Sequence, residues 1–291
     1  MHVLISIPAY NEATTIGNVL QEIHAAMKKE PYSYSLVVVD DGSTDTTALI
    51  SKRYKAHVIS HPRNYGLAET FRTEIKHFLH SQADIFVHID ADGQYIAKDI
   101  PRLIREIQNG YDLVLGDRFS GGIEEMPLLK KIGNRVFSRV ISRIIKYPIH
   151  DCQTGFRAFN RKTAALPIQS THTYTQEQII KAVNEKLRIK EIPTHFRKRD
   201  GKSRLMKNPF EYALKAWINI LRIYRDYDPL KFFGRIGGAL LFTGFLIGCW
   251  LVYLYVTTGR VGHLPLTILT VMFVVMGIQF IVFGFMADMK R

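Results

Sequence analysis

The sequence contains few cysteines. Only Cys152 and Cys249 occur among 291 residues, which excludes a disulfide framework as the basis of the fold. Because thiols stay reduced in the cytoplasm, this scarcity fits a cytoplasmic location for the folded part of the chain. The N-terminus shows no secretory leader pattern, since residues 3–7 already have the composition of a strand.

Charge is almost absent near the other end of the chain. Between residues 236 and 287, Arg260 is the sole Lys, Arg, Asp or Glu. The uninterrupted apolar runs at 236–256 and 264–287 are each long enough to cross a hydrocarbon core of roughly 30 Å. Two such runs in succession are not expected of buried helices in a soluble protein. Lys and Arg flank the pair of runs, which predicts that both chain ends are cytoplasmic and the connection is outside.

The formal net charge of +13 would also suit a nucleic-acid-binding protein. The distribution of the charge argues against that class. Lys and Arg are concentrated in residues 128–146, 186–207 and 215–235, where they alternate with apolar residues and lie close in sequence to the two apolar runs. We therefore expect a lipid bilayer, and no nucleic acid, as a partner of this chain.

Two nucleotide-binding motifs are missing. No G-x-G-x-x-G follows the first strand pattern and no G-x-x-x-x-G-K-[ST] occurs, which argues against a dinucleotide fold and a P-loop. Short Val/Ile/Leu-rich runs nevertheless alternate with helical patterns, which predicts an α/β fold with a mostly parallel sheet covered on both faces. The predicted strands are 3–7, 35–39, 56–60, 84–89 and 112–116, and the predicted helices are 14–29, 45–53, 66–80 and 98–108.

Polar clusters follow three of the predicted strands, at the edge of a parallel sheet where ligands bind. After the fourth strand comes the sequence DADGQ. If the chain stays extended there, Asp90, Asp92 and Gln94 project to one side, and such oxygen ligands suit Mg²⁺ or Mn²⁺ shared with a phosphate. A simple strand-ending turn is the alternative, and it explains Gly93. Asp40, after the second strand, can accept hydrogen bonds from a nucleobase or a ribose.

Five segments together resemble a known family: SIPAYNE, VVVDDGSTD, NYGLAET, HIDADGQ and LVLGDRF. They are similar to the cytoplasmic domain of family 2 glycosyltransferases, which have the GT-A fold. The later segments DCQTGFRAF and GKSRL resemble the branch that contains dolichol-phosphate mannosyltransferase and bacterial polyprenyl-phosphate glucosyltransferases. The resemblance covers about residues 1–235 and preserves the order of the family's motifs.

The resemblance implies a set of site residues. Positions that bind the nucleotide sugar in the family correspond to Pro8, Tyr10, Glu12, Val38, Asp40, Asp90, Ala91, Asp92, Gln94, Lys198, Arg199, Ser203 and Arg204. Among these, Asp90, Asp92 and Gln94 match the positions that bind the metal and the diphosphate. Whether Lys198 or Arg199 takes the place of the family's usual arginine stays open, and Asp117 stands where a serine is common.

The same resemblance implies an acceptor site for a lipid phosphate. Arg118 and Arg135 match arginines that receive this phosphate, and Arg139 lies one helical turn beyond Arg135. Asp92, Arg118 and Arg135 are therefore the expected catalytic residues. A phosphate monoester is already largely anionic at neutral pH, because its second pKa is about 6. Such an acceptor needs cations that position it more than it needs a general base.

Residues 128–146 have the pattern of an interfacial helix. Lys131, Arg135, Arg139 and Arg143 recur every four residues, beside an apolar face made of Leu129, Ile132, Val136, Phe137, Val140, Ile141 and Ile144. An ordinary surface helix packed on the sheet is the alternative. We expect three regions: a cytoplasmic catalytic domain over 1–207, a juxtamembrane helix over 208–230 and a transmembrane hairpin over 231–291.

These observations predict a membrane-bound, inverting glycosyltransferase that moves a hexose to dolichyl or polyprenyl phosphate with Mn²⁺ or Mg²⁺. Mannose from GDP-mannose is the first expectation, with UDP-glucose or UDP-N-acetylglucosamine as alternative donors. A processive polysaccharide synthase and a non-catalytic membrane scaffold are the remaining alternatives, and self-association is compatible with the apolar helices. Glu177 is either an acceptor-site residue or a first-turn helix acid, and His88 is expected to be a core histidine.

Overall fold

The computed structural model describes residues 1–170, 174–198, 209–260 and 264–289, with side chains not described at 209–216 and 219. The chain divides into two compact units, Met1–Ala216 and Trp217–Arg291.

The first unit is built on a seven-stranded sheet. Its strands are β1 (His2–Ala9), β2 (Ser33–Asp40), β3 (His57–Ser60), β4 (Ile85–His88), β5 (Leu113–Asp117), β6 (Arg157–Asn160) and β7 (Ile189–Pro193). They lie in the order β3-β2-β1-β4-β6-β5-β7. Pairing is parallel except at β6, which runs antiparallel to both β4 and β5. The mostly parallel α/β fold and the five predicted strands are confirmed.

Two strands escaped prediction, and both lack the apolar run that marks a buried strand. β6 is four residues long and begins with Arg157, which is fully buried. β7 alternates buried and half-buried residues over the sequence IKEIP. Neither segment carries enough consecutive Val, Ile or Leu to stand out from a loop.

Helices cover the two faces of the sheet. They are α1 (Ile16–Met27), α2 (Thr47–Arg53), α3 (Leu67–His80), α4 (Ile100–Gln108), α5 (Arg118–Gly121), α6 (Leu128–Ile145), α7 (Arg161–Ala164) and α8 (Tyr174–Asn184), with α9 (Pro209–Tyr227) leading into the second unit. A short 3₁₀ turn, Ala97–Asp99, precedes α4. One contiguous core joins β1, β2, β4 and the inward faces of α1 and α4.

Helix α6 spans the residues predicted to form the interfacial helix, and its apolar residues differ in burial. Phe137 and Ile141 are buried, as are Asn134, Ser138 and Ile145. By contrast, Leu128, Leu129, Ile132 and Val136 are exposed. The predicted apolar residues therefore form an arc of the helix that is buried at one edge and exposed at the other. The helix packs on the domain through the buried edge and leaves the exposed edge open to the outside.

The second unit contains the two long apolar helices, α10 (Pro229–Thr258) and α11 (Leu264–Asp288). Both are long and apolar enough to cross a membrane. Gly237 faces Gly277, and a side chain at Gly237 would come 2.6 Å from the carbonyl oxygen of Gly277. Gly244 lies against Thr270, so residue numbers rise along α10 as they fall along α11. The helices therefore form an antiparallel hairpin that needs small residues where the backbones meet.

Candidate active site

The carboxyl ends of β1, β2 and β4 meet at one edge of the sheet, as the sequence predicts. In the register of the sheet, Ala9 pairs with Asp40 and Ser6 pairs with His88. The segments that follow these strands therefore start side by side. Pro8 and Val38 are buried within β1 and β2, whereas Tyr10 is exposed just beyond the end of β1.

The loops after β1 and β2 are tied to each other by hydrogen bonds. The backbone N–H of Thr44 donates to Oδ1 of Asn11 at 2.8 Å. The backbone N–H of Glu12 donates to Oγ1 of Thr47 at 2.9 Å. The loop that carries Tyr10 and Glu12 is consequently held next to Asp40, which is where a nucleoside binds in the site expected from the sequence.

The two adjacent aspartates after β2 have different roles. Asp40 is buried, and its carboxylate accepts from the backbone N–H of Ser43 at 3.1 Å. Asp41 accepts from the backbone N–H groups of Tyr65 and Gly66 and contacts Nδ1 of His61 at 2.8 Å. Asp41 therefore holds the loop between β3 and α3. That loop and α3 border an open pocket of about 460 Å³, lined by His61, Tyr65, Ala68, Glu69, Arg72 and Thr73.

The DADGQ segment is a turn and not a continuation of the strand. β4 ends at His88, and the backbone turns at Ala91–Asp92 before Gly93, which has a φ of +73°. The prediction of extended geometry, with the three oxygen ligands alternating along one side, is therefore wrong. The three candidate ligands are therefore carried by a single turn of five residues.

The oxygen atoms at this turn fit a hard cation. Asp90, Asp92 and Gln94 are all half-buried, and the intervening Ala91 is buried. The backbone N–H of Gln94 donates to Oδ1 of Asp92 at 3.1 Å, and the side-chain N–H of Gln94 donates to the carbonyl of Arg197 at 3.1 Å. The amide nitrogen of Gln94 is thus occupied, which leaves its oxygen as the atom suited to a ligand. Two carboxylates and one amide oxygen are donors that Mn²⁺ and Mg²⁺ accept.

A glycine from a distant segment lies against Asp90. Gly155 lies two residues before Arg157, the first residue of β6, and Arg157 pairs with His88 of β4. A Cβ atom at Gly155 would come 2.7 Å from Oδ2 of Asp90. The antiparallel direction of β6 is the reason for this approach, because it places the start of β6 at the edge where β4 ends.

Below the turn lies a buried polar chain that joins three elements. Oγ of Ser6 in β1 donates to Oε1 of Glu74 in α3 at 2.9 Å. Nδ1 of His88 in β4 lies 2.9 Å from Oε2 of Glu74, and Nε2 of His88 lies 3.7 Å from Oδ1 of Asp90. Burial disfavours the charged imidazolium, but the carboxylates of Glu74 and Asp90 outweigh that effect and raise the pKa of His88 to about 9. The expectation of a core histidine holds for its burial, yet its partners are ionisable.

Arg118 follows β5 and is held by a carboxylate that sequence reasoning did not identify. Nε and Nη2 of Arg118 donate to the two oxygens of Asp151 at 2.6 and 2.8 Å. Both side chains are buried, and the guanidinium also lies over the ring of Phe196, 5.2 Å from its centroid. Burial opposes its charge, but Tyr95, Asp151 and Asp90 raise the pKa of Arg118 above its ordinary value.

A second carboxylate fixes the loop that carries Asp151. Glu191 in β7 accepts from the backbone N–H groups of His150 and Asp151. Burial and the charge of Asp117 raise the pKa of Glu191. Asp117, His150 and Glu191 bring their ligand atoms within 4.8 Å of one another, so they form another group that could hold a cation. Asp117 meanwhile caps α5 by accepting from the N–H groups of Phe119 and Ser120.

The remaining candidate cations lie on the surface. Arg135 and Arg139 are exposed on α6, and the guanidinium of Arg135 lies 5.1 Å from the ring centroid of Phe119, the residue next to Arg118. The structure therefore brings Arg118 and Arg135 into one region. Lys198 pairs with Glu125 at 2.6 Å. Arg199, Ser203 and Arg204 lie outside the described residues.

Glu177 performs a local structural task. Its carboxylate accepts from the backbone N–H groups of Gln169 and Ser170 and pairs with Lys181 at 2.8 Å. Arg72 of α3 donates to carbonyl groups of the same segment, including that of Ile168 at 2.8 Å. Glu177 thus helps to fix the segment before α8, which accounts for an acid in the first turn of this helix.

Comparison with known proteins agrees with the resemblance seen in the sequence. Residues 4–165 match the family described as Glycosyl transferase family 2. The chain belongs to glycosyltransferase family 2. It is therefore a glycosyltransferase with a GT-A-like fold.

Several curated members of this family are similar over most of the chain. A dolichyl-phosphate hexose transferase of Haloferax volcanii is 32% identical, covering 74% of this chain and 90% of that protein. A UDP-N-acetylglucosamine–dolichyl-phosphate N-acetylglucosaminyltransferase of Methanococcus voltae is also 32% identical, covering 66% and 84%. Glycosyltransferase AglJ of Haloferax volcanii is 26% identical over 99% of this chain and 93% of its own length.

Solved structures show the fold again. Glucosyl-3-phosphoglycerate synthase from Mycobacterium tuberculosis, in complex with Mn²⁺, uridine diphosphate and glucosyl-3-phosphoglycerate, superposes with a TM-score of 0.59. The alignment covers 76% of this chain and 79% of that one at 20% identity. At this level of identity the likeness concerns the fold alone, and about a quarter of this chain lies outside the match.

Proposed function

We propose that this glycosyltransferase moves a hexose from a nucleotide sugar to the phosphate of a dolichyl or polyprenyl lipid at a membrane. The observation that carries the proposal is the proximity of an acidic turn and a buried arginine in one domain. His88 of β4 and Leu115 of β5 both pair with Arg157 of β6. The segments that carry Asp90 and Arg118 therefore begin at the same edge of the sheet. Asp90 is also one of the groups that raise the pKa of Arg118. Transfer from a nucleoside diphosphate sugar to a phosphate acceptor needs an acidic site that holds the cation of the donor and, next to it, a basic site that holds the acceptor.

On the donor side, Asp90, Asp92 and Gln94 are the residues that would hold the divalent cation, which supplies positive charge against the diphosphate. The Mn²⁺ in the complex of the mycobacterial synthase supports this choice of ion. Pro8, Tyr10, Glu12, Val38 and Asp40 would bind the nucleoside, because the first two loops at the rim are tied together beside Asp40.

On the acceptor side, Arg118 and Arg135 would bind the lipid phosphate, with Arg139 further along α6. Asp151 holds Arg118 by two hydrogen bonds and leaves Nη1 of the guanidinium outside that bidentate pair. A phosphate so placed needs no general base, because it is already anionic. The anionic oxygen would attack C1 of the sugar from the side opposite the leaving diphosphate, which inverts that carbon.

We propose mannose from GDP-mannose as the donor, on the resemblance of the motifs to dolichol-phosphate mannosyltransferase. A UDP-sugar is the second candidate, and it is favoured by two observations. The Methanococcus relative is named for UDP-N-acetylglucosamine, and the superposed mycobacterial enzyme contains uridine diphosphate. None of the three curated relatives named above specifies mannose.

The membrane would be engaged through two parts of the chain. The hairpin α10–α11 would span the bilayer, with the catalytic domain, 1–207, and both chain ends in the cytoplasm and 208–230 as a juxtamembrane helix. The exposed apolar residues of α6, including Leu129, Ile132 and Val136, adjoin the exposed Arg135 and Arg139. This combination suits the headgroup layer, where apolar side chains enter the lipid and arginines contact phosphates.

The test is a transfer assay with the purified full-length chain in detergent. The protein is incubated with polyprenyl phosphate, Mn²⁺ and one labelled donor at a time: GDP-mannose, UDP-glucose or UDP-N-acetylglucosamine. We expect a labelled lipid product from one of these donors, and no product when polyprenol replaces its phosphate or when EDTA is added. If no donor gives a lipid product, the proposed function is wrong.

A further inference from the structure

We propose that His88 is a positioning residue for the donor site, and that its Nε2–H orients the carboxylate of Asp90 toward a divalent cation bound to a nucleoside diphosphate. The inference rests on the proposed function, in which Asp90 is a ligand of that cation. It adds a residue that touches neither the nucleotide nor the acceptor.

The first observation is an orphaned polar atom. The ring of His88 is fully buried, and its Nε2 has no hydrogen-bond partner among the described residues. The nearest acceptor given by the structure is Oδ1 of Asp90 at 3.7 Å, just beyond hydrogen-bond distance. Buried polar atoms are normally satisfied, and the carboxylate of Asp90 is the group that a small rotation would bring within hydrogen-bond distance of Nε2.

The second observation is that neighbouring side chains hold the ring of His88 in place. Its Nδ1 is bound to Glu74, and Glu74 is bound in turn to Ser6 of β1. The ring of Phe71 meets it edge-on, with centroids 5.3 Å apart. Glu74 and Asp90 are both carboxylates, which accept hydrogen bonds and do not donate when ionised. Both ring nitrogens therefore face acceptors.

The third observation is that Asp90 has a restricted choice of orientation. Its side chain is 32% exposed at the rim. Its Oδ2 lies so close to Gly155 that a Cβ atom there would be 2.7 Å away. A small rotation of the carboxylate would bring Oδ1 to His88 and leave the other oxygen for the cation. Carboxylates that bind metals are usually held by a second hydrogen bond of this kind, and its loss typically lowers metal affinity about 10- to 100-fold.

The experiment compares two substitutions that differ in reach. In His88→Asn the side-chain amide reaches the position of Nδ1 and keeps a donor for Glu74, but nothing reaches Asp90. In His88→Gln the longer side chain places an N–H near the position of Nε2. Val87→Ala is the matched control, because Val87 is a fully buried neighbour on β4 and its loss lowers stability without removing a polar group.

The measurement is binding of UDP and of GDP by calorimetry to the full-length protein, with Mn²⁺ and with EDTA. We expect His88→Asn to weaken Mn²⁺-dependent binding of the preferred nucleotide about tenfold and to leave binding in EDTA unchanged. We expect His88→Gln to stay within about threefold of the wild type, and Val87→Ala to bind as the wild type does despite a lower melting temperature. A purely structural role would make Val87→Ala and His88→Asn alike.

Equal Mn²⁺-dependent binding by the wild type and His88→Asn would overturn the inference alone. If the wild type bound neither nucleotide with Mn²⁺, the proposed function would fail first and the inference with it. Should His88→Asn not fold, the same comparison is made between Glu74→Gln/His88→Asn and Glu74→Gln/His88→Gln. In both double variants a neutral amide replaces the buried carboxylate of Glu74. The expected tenfold difference in Mn²⁺-dependent nucleotide binding must persist between these two double variants.

Discussion

The ends of β4 and β5 belong to one sheet edge but offer opposite chemistry. After β4, Asp90 and Asp92 lie half-buried in a turn. After β5, Arg118 is buried and paired with Asp151. β6 separates the two strands and runs antiparallel to both. Because β6 lies between them, the half-buried carboxylates after β4 and the buried guanidinium after β5 occupy the same sheet edge. Among the described residues they form no direct ion pair.

The comparison shows that Asp90 and Arg118 each lie near a buried ionisable side chain that can carry the opposite charge. His88, paired with Glu74, lies under the acidic turn. Asp151, fixed by Glu191, lies beside the arginine. Charged groups at low dielectric are costly unless they are paired, so these neighbours lower the cost of placing side chains of both charges at one edge of the sheet.

The largest effect should be a loss of stability when the buried Arg118–Asp151 pair after β5 is broken. Asp151→Ala would leave the guanidinium of Arg118 buried without its carboxylate, which costs about 3–5 kcal/mol of unfolding free energy. Thermal or urea denaturation of the purified protein measures this loss. The double variant Arg118→Met/Asp151→Ala removes the unpaired charge and should recover part of the stability. A single variant as stable as the wild type would show that the pair is not a structural necessity.

The next largest effect should be a loss of activity when the candidate cation ligand Asp92, after β4, is removed. Asp92→Ala should lower Mn²⁺-dependent transfer at least about 100-fold, as removal of a group that stabilises developing charge usually does. It should change unfolding free energy by less than about 1 kcal/mol, because Asp92 is half-buried in a turn. Initial rates and denaturation of the same preparation test both statements. Full activity of Asp92→Ala in Mn²⁺ or Mg²⁺ would remove Asp92 from the proposed cation site.

A smaller effect, on nucleotide binding, should follow when a methyl group is added beside the carboxylate of Asp90. Gly155→Ala introduces a methyl group 2.7 Å from Oδ2 of Asp90 and must displace that carboxylate. We expect about tenfold weaker Mn²⁺-dependent nucleotide binding, the range seen when a ligand's orientation is disturbed. Binding in EDTA should be unaffected. Equal losses with and without Mn²⁺ would point instead to a distorted β6.

The smallest effect should come from the surface of α6. Arg135→Ala should raise the KM for polyprenyl phosphate about fivefold, in the range of one charge-assisted contact, with little change in kcat. Arg143→Ala is the control, because Arg143 is an exposed residue of the same basic stripe two turns away. If both variants raise KM equally, α6 acts through general attraction to the membrane and not through a specific phosphate contact.

Prediction from the sequence succeeded where burial follows local periodicity. The five apolar runs became β1 to β5, and residues 128–146 became α6. It failed where the burial of a residue differs from what its side-chain type suggests. Arg157 made β6 look polar although it is fully buried. On α6, Leu129 and Ile132 are apolar like Phe137, but they are exposed whereas Phe137 is buried, so residue type alone could not separate them.

The sequence by itself determined the α/β class, the two apolar helices and the family, because each depends on patterns that short segments carry alone. Only the tertiary structure decided which groups support the site. Asp151 reaches Arg118 across 33 residues, and Ser6 reaches Glu74 across 68. These pairings depend on the order of strands in the sheet. That order follows from how the whole core packs and cannot be read from any one segment.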